Sequence, residues 1–196
     1  RMSREMNREQ SGNMFKRIHV NFHSNAGGGR GTVGLINSGN MTPNQTRFAK
    51  ICGDEVQADM LALGSPPLEV AWPNRGSSTT YSRGYAEISN GSLSGEMDAT
   101  IIEVAYHDSD PDAKIMRDPK GRSAVGRAAM HAVIKYMNEF DGLPLNFLPE
   151  PPTNVRAFAT NSGVLIAWNT PVSSGGSGAA TSYVIYRSDD GYGFGN

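Results

Sequence analysis

Cysteine is nearly absent: Cys52 is the only one among 196 residues. No internal disulfide and no cysteine-based zinc site can form from it, and a lone thiol says little about compartment or catalysis. A basic surplus is missing too, since 18 Lys and Arg stand against 19 Asp and Glu for a formal net charge of −1. A general nucleic-acid binder needs clustered cations to meet phosphates, so that class is set aside. No apolar run approaches the roughly 20 residues of a membrane-spanning helix. The opening Arg1-Met2-Ser3-Arg4-Glu5 is polar and shows no charged-then-apolar leader. The chain starts with Arg and stops at Gly193-Phe194-Gly195-Asn196 without a closing signal, so both ends are expected to be interior to a longer protein. On that expectation the missing leader says nothing against export. No internal repeat is found. What remains is a chain with 38% apolar residues, 19% charged residues, 23 Gly and 11 Pro. It is globular and rich in loops, long enough for one domain or two small ones.

Residues 1–16 are polar, lack periodicity and read as a loop or a frayed helix. From Arg17 to Phe22, Ile18, Val20 and Phe22 alternate with His19 and Asn21, which is the period of a strand. Gly27-Gly28-Gly29 then breaks it, and Val33 to Ile36 predicts a second short strand stopped by Asn37-Ser38-Gly39-Asn40. Thr42 as N-cap, Pro43 at the first helical position and Gln45 three residues after the cap predict a helix. Phe48, Ile51, Cys52, Val56 and Met60 form its buried face. Residues 64–97, full of Gly, Pro, Ser and Asn, predict a long functional loop set or weak edge strands. Ala99 to Ala105 predicts a buried strand, and Asp110-Pro111 and Asp118-Pro119 each open a helical turn. From Val125, the residues Ala129, Ala132, Val133, Tyr136, Met137 and Phe140 build an amphipathic helix that Gly142 stops. Pro149-Glu150-Pro151-Pro152-Thr153 is a stiff linker. It divides residues 1–148 from an all-β segment, 149–196, with strand-like stretches at Val155 to Phe158, Val164 to Trp168 and Tyr183 to Tyr186.

Two residues stand out chemically. Glu103 interrupts Ile101-Ile102 and Val104-Ala105, where a carboxylate is costly to bury without a partner. Either that strand has one wet face, or an arginine pairs with the carboxylate, or Glu103 is a catalytic or metal-binding acid at a strand's carboxyl end. His23 ends the first apolar strand and enters the glycine loop, again at a carboxyl end, where a structural role and a ligand role both stay open. His19 cannot join it on one zinc. Four strand residues span roughly 13 Å, whereas two imidazoles on one metal bring their nitrogens within about 4 Å. His131 falls outside its helix's apolar stripe and reads as solvated, while His107 reads as a turn residue. Gly29-Arg30-Gly31-Thr32-Val33-Gly34 matches a dinucleotide fingerprint only in its letters, because a strand rather than a helix follows. Ser24 beside His23 does not make a hydrolase pair, since neighbours on an extended chain point apart and no G-x-S-x-G elbow is present.

Taken together, Val20-Asn21-Phe22-His23-Ser24-Asn25-Ala26 and Ile101-Ile102-Glu103-Val104-Ala105-Tyr106-His107 resemble the last two motifs of a known family. These are the zinc-dependent N-acetylmuramoyl-L-alanine amidases, the amidase-3 family of cell-wall hydrolases. The resemblance covers about residues 10–141 and includes the helix from Val125 to Phe140. It implies an α/β fold, a twisted sheet flanked by helices, of which this chain is the C-terminal portion. It also implies Zn2+ as cofactor, His23 as a metal ligand and Glu103 as the catalytic acid/base. Asn25 holds a motif position, shapes the turn beside the metal and is the candidate for contact with substrate. The implied reaction is hydrolysis of the amide between the lactyl group of N-acetylmuramic acid and L-alanine. The implied partner is peptidoglycan, with no nucleic acid, and the location is periplasmic, extracellular or in the cell envelope.

The family's two other zinc ligands are a His in an Asp-x-Gly-His-Gly-Gly segment and a Glu after it. Neither segment is present, and Glu5 and Glu9 sit in the wrong context to replace them. Those ligands are expected upstream of Arg1, and the isolated chain is expected to be inactive. Two alternatives stay open: a non-catalytic cell-wall or carbohydrate-binding protein on an amidase scaffold, and a zinc peptidase cutting within the stem peptide. The tail, with Trp168-Asn169-Thr170-Pro171 and Tyr183-Val184-Ile185-Tyr186, resembles part of a fibronectin type III domain. A complete sandwich of that kind needs about seven strands and about 100 residues.

Overall fold

A computed structural model describes residues 16–171 and 176–188. Residues 1–15, read above with Lys16 as loop or frayed helix, lie outside the described residues, as do the closing residues 189–196. The chain divides into two compact units, Arg1–Pro144 and Leu145–Asn196.

In the first unit four strands form one mixed sheet: β1 (Ile18–Asn25), β2 (Val33–Asn37), β3 (Thr80–Arg83) and β4 (Asp98–Tyr106). Their spatial order is β1-β4-β2-β3. Strand β1 runs parallel to β4, β2 antiparallel to β4, and β3 parallel to β2. Helix α1 (Gln45–Leu63) follows β2, and a 3-10 turn (Ala86–Ile88) and the four-residue helix α2 (Asn90–Leu93) lie between β3 and β4. Helices α3 (Asp110–Arg117) and α4 (Pro119–Asp141) come after β4. The unit is a mixed α/β fold with helices against its sheet.

The alternation of side chains along each strand builds two cores. On one face Ile102 and Ala105 pack with Phe48, Ile51, Cys52, Val56 and Met60 of α1 and with Ala124, Val125, Ala128, Ala132 and Tyr136 of α4. On the other face Val33, Leu35, Ala99 and Ile101 meet Ile88, Leu93 and Met97. All five apolar positions expected on α1 are buried, and burial pushes the Cys52 thiol far above its ordinary value. Gly142 ends α4 in the left-handed region at φ 67°, accepting no Cβ penalty there.

Helix α1 starts later than the cap chemistry suggests. Its N-cap is Asn44, whose backbone N–H and side-chain amide both donate to Asp98, each at 3.0 Å. Thr42 is buried and its hydroxyl accepts from the Ala99 N–H. The Gln45 side chain, instead of capping, accepts from Asn37 N–H at 2.7 Å and donates to the carbonyls of Ile88 and Ala99. Tertiary partners outbid the local cap. His131 also differs from expectation, being buried on α4. That helix packs against both the sheet and α1, so its buried surface is wider than its apolar stripe.

Strand β2 and helix α1 touch through glycine. A Cβ on Gly34 would lie 2.1 Å from the Ala49 carbonyl oxygen, a backbone atom that cannot rotate away. Gly34→Ala should therefore cost about 1–3 kcal/mol or more, as overpacked cores do. Chemical denaturation checks this, and a midpoint equal to the parent's would contradict the close approach.

The described residues of the second unit include a two-stranded antiparallel sheet, β5 (Thr153–Thr160) with β6 (Gly163–Asn169). The rings of Trp168 and Tyr183 lie 5.0 Å apart between centroids. Tyr183 to Tyr186, expected as a strand, forms none among the described residues. Among the described residues no second layer covers this hairpin, and Val155, Val164, Leu165 and Val184 are exposed.

Candidate functional site

The parallel register of β1 and β4 sets His23 directly beside Glu103. Glu103 shares its face with Val33, its antiparallel partner on β2, and with Ile101 and Leu35. It is 8% exposed, and its Oε2 has no hydrogen-bond partner among the described residues. Its main-chain carbonyl accepts from the Thr32 hydroxyl at 2.9 Å, which fixes the backbone at this point. Burial raises the Glu103 carboxyl above its ordinary value; His23 draws it down, Glu87 adds to the rise and His107 draws it down slightly. No arginine pairs with it among the described residues. The wet face and the arginine partner are thus not what is found: Glu103 is a shielded acid beside an imidazole.

His23 is roughly half exposed, and its Nε2 lies 3.3 Å from Oε1 of Glu87. Glu87 comes from the 3-10 turn that crosses this face, 64 positions along the chain from His23. The same carboxylate raises the pKa of His19, against a larger lowering by burial. Sequence reasoning missed Glu87 because nothing local marks a contact made across the sheet.

A bulge changes which side chains join the site. Between His23↔Glu103 and Asn25↔Tyr106 the register slips, with one residue on β1 facing two on β4. Val104 and Ala105 both pack toward the helix-covered face, so Tyr106 returns to the side of Glu103. Its ring lies against Gly29, where an added Cβ would meet it at 2.4 Å. Ser24, opposite the bulge, bonds Nδ1 of His107 at 3.0 Å rather than working with His23. Ser24 also lines a largely apolar cavity of about 500 Å³ with Phe22, Val104, Tyr106, Met116 and Val125. His107 sits in the turn after β4, as expected.

Asn25 spends its side chain locally, with Oδ1 accepting from Ala26 N–H at 2.8 Å, while its carbonyl accepts from His107 N–H at 2.9 Å. It shapes the turn between the two strand ends. The glycine loop beyond it is tied down by two carboxylates. Asp108 accepts from the N–H groups of Gly27 and Gly28 at 2.7 and 3.0 Å, which lowers its pKa. Asp112, fully buried on α3, accepts from Gly31 N–H at 2.7 Å, Arg30 Nε at 2.9 Å and Tyr106 N–H at 3.1 Å. Gly27, Gly28 and Gly31 take φ of 111°, 74° and 84°, a region other residues rarely enter. The loop then enters β2, not a helix, so no phosphate cradle of the dinucleotide kind follows it.

A catalytic zinc takes about three protein ligands and keeps one open position. Among the described residues no group of three or more His, Cys, Asp or Glu side chains is placed to hold a metal ion. His23 alone, beside the unpartnered Glu103, therefore does not make a fit for zinc without further ligands.

No protein-family model and no curated protein matches this chain. Among solved structures, it is similar to the apo form of the N-acetylmuramyl-L-alanine amidase Ami1 of Mycobacterium abscessus, with 21% identity and a TM-score of 0.46. That match covers 61% of this chain and 54% of the other. Ami1 of Mycobacterium smegmatis matches with 18% identity over 62% of this chain and 54% of its own, TM-score 0.47. An N-acetylmuramoyl-L-alanine amidase of Clostridium difficile matches with 15% identity over 62% and 57%, TM-score 0.42. The chain spans little more than half the length of these structures. At such scores the likeness adds no weight to any residue's role, which rests on the motifs and geometry above.

Proposed function

We propose that this chain is the C-terminal part of a peptidoglycan amidase that cleaves the amide between N-acetylmuramic acid and L-alanine. The observation that carries the reading is the pairing of His23 with a buried Glu103 whose Oε2 has no partner. It falls on the two residues for which the motif resemblance implies a metal ligand and an acid/base. The zinc implied by that resemblance would take His23 as one ligand and needs the others from outside the described residues. Glu103 has the chemistry of a general base held in low dielectric. It takes a proton from the attacking water and returns it to the leaving amine, the shuttle that amide hydrolysis needs. His23 beside it supplies a neighbouring dipole or charge, and the glycine loop and the 84–88 segment border the face on which Glu103 lies.

Digestion of purified peptidoglycan by the complete protein tests the reading, with products identified by mass spectrometry. Free stem peptides beginning with an unblocked L-alanine are expected, and the isolated 196-residue chain is expected to release none. Fragments cut inside the stem would point to a peptidase. Retention on the polymer without any release would point to a binding protein, a reading that the lack of a three-ligand group among the described residues favours.

A further inference from the structure

The sheet face that carries Glu103 continues past β2 onto the edge strand β3. Val33 stands opposite Glu103, and two residues on, Leu35 pairs with Tyr81 while Asn37 pairs with Arg83. Val33 and Leu35 belong to one core face, so Tyr81 and Arg83 lie on the side of Glu103. Neither is covered: Tyr81 is 52% exposed and Arg83 is exposed as well. The Arg83 guanidinium makes no ion pair among the described residues. Its backbone is anchored, since its carbonyl accepts from Ser38 N–H at 3.0 Å. Tyr85, half-buried, is held by Asn37 Nδ2 on its carbonyl at 2.6 Å. Burial does most to raise the pKa of its hydroxyl, Tyr81, Glu103 and Tyr106 add to the rise, and Arg83 lowers it.

The spacing has a chemical meaning. Two interstrand steps are roughly 10 Å, and four residues along a strand are roughly 13 Å. Arg83 thus stands about 16 Å from Glu103, backbone to backbone, within the combined reach of an arginine side chain and a short extended peptide. An extended peptide covers the remainder in roughly two to four residues. We propose that Arg83, with Tyr81 beside it, forms a subsite for a carboxylate of the peptide whose amide is held at Glu103. This rests on the amidase reading and deepens it, assigning the enzyme a preference for acidic stems in which that carboxylate is free. A guanidinium offers two parallel N–H donors to a carboxylate, and the tyrosine ring supplies a flat flank for the peptide backbone.

Calorimetric titration of the 196-residue chain tests this without requiring turnover. The probes are an N-acetylmuramoyl tripeptide with free side-chain carboxylates and the same compound with those carboxylates amidated. The chain is expected to bind the free-acid form about three- to ten-fold more tightly, and Arg83→Gln to abolish that preference while binding of the amidated form stays unchanged. Arg83→Lys should retain part of it. A preference undiminished in Arg83→Gln, or none in the parent, overturns the subsite and leaves the amidase reading standing. Binding of neither compound overturns the subsite and counts against that reading as well.

Discussion

Glu103→Gln should lower peptidoglycan turnover by the complete protein about 10³-fold, the scale of a lost general acid/base, while leaving the fold at least as stable as before. The second half follows from burial. Glu103 has its pKa raised in the folded protein, so the native state holds that proton more tightly than the unfolded chain does. The stability this brings is fully present below the ordinary glutamate range and is lost as pH rises through the raised value. At neutral pH the ionised carboxylate is a net burden, and its Oε2 has no partner to offset it. Glutamine keeps the shape and removes the charge. Thermal unfolding at pH 7 is expected to show a midpoint equal to or above the parent's, with the difference shrinking as the pH falls. A variant that melts well below the parent would assign Glu103 to the architecture. Undiminished digestion would end its catalytic role.

Asp112→Ala should produce the largest loss of stability in the first unit. The carboxylate is wholly buried and gathers three donors from two segments: Arg30 and Gly31 of the glycine loop, and Tyr106 at the end of β4. Removing it strands two backbone N–H groups and one guanidinium. Breaking a buried charged network costs about 3–5 kcal/mol. Arg30 is one-third exposed and can turn to water, which puts the expected loss near the lower figure, about 3 kcal/mol. For a chain of this size that is a fall of roughly 6–12 °C in melting temperature. Hydrogen exchange adds a local reading, since the amides of Gly31 and Tyr106 should lose protection before the rest of β4. A melting temperature within about 2 °C of the parent would mean that water replaces the carboxylate at little cost.

Much of this arrangement could be read from the residues in order. Alternation marked β1 and the apolar run marked β4, so His23 and Glu103 emerged as polar residues at the carboxyl ends of apolar strands. Helix α4 announced itself by its apolar spacing and by Gly142. Other features depend on contacts that no local pattern records. Thr42 and Gln45 have the chemistry of a helix cap, yet both serve the junction of β2, β4 and the 85–88 segment. Glu87 meets His23 only after β3 and the turn that follows have crossed the sheet. Asp112 looks like an ordinary acidic residue in a helix's first turn, and only the fold shows it buried beneath the glycine loop. The placement of β2 between β4, which runs opposite to it, and β3, which runs parallel to it, is likewise a matter of topology. In the second unit, two strands and an aromatic pair are described, and the fibronectin-like reading remains a proposal built on Trp168 and Tyr183.

The slip in register between β1 and β4 has a broader consequence. Along a regular strand, side chains alternate like the teeth of a zip, and a residue can serve one side of the sheet only if its count from Glu103 is even. Tyr106 is an odd count away and serves that side nonetheless. One inserted residue resets the parity, so a single strand end delivers a shielded acid and, three residues on, an aromatic ring set against the glycine loop. Insertion of one residue is the smallest edit by which a sheet can enlarge the vocabulary of a site without adding a strand.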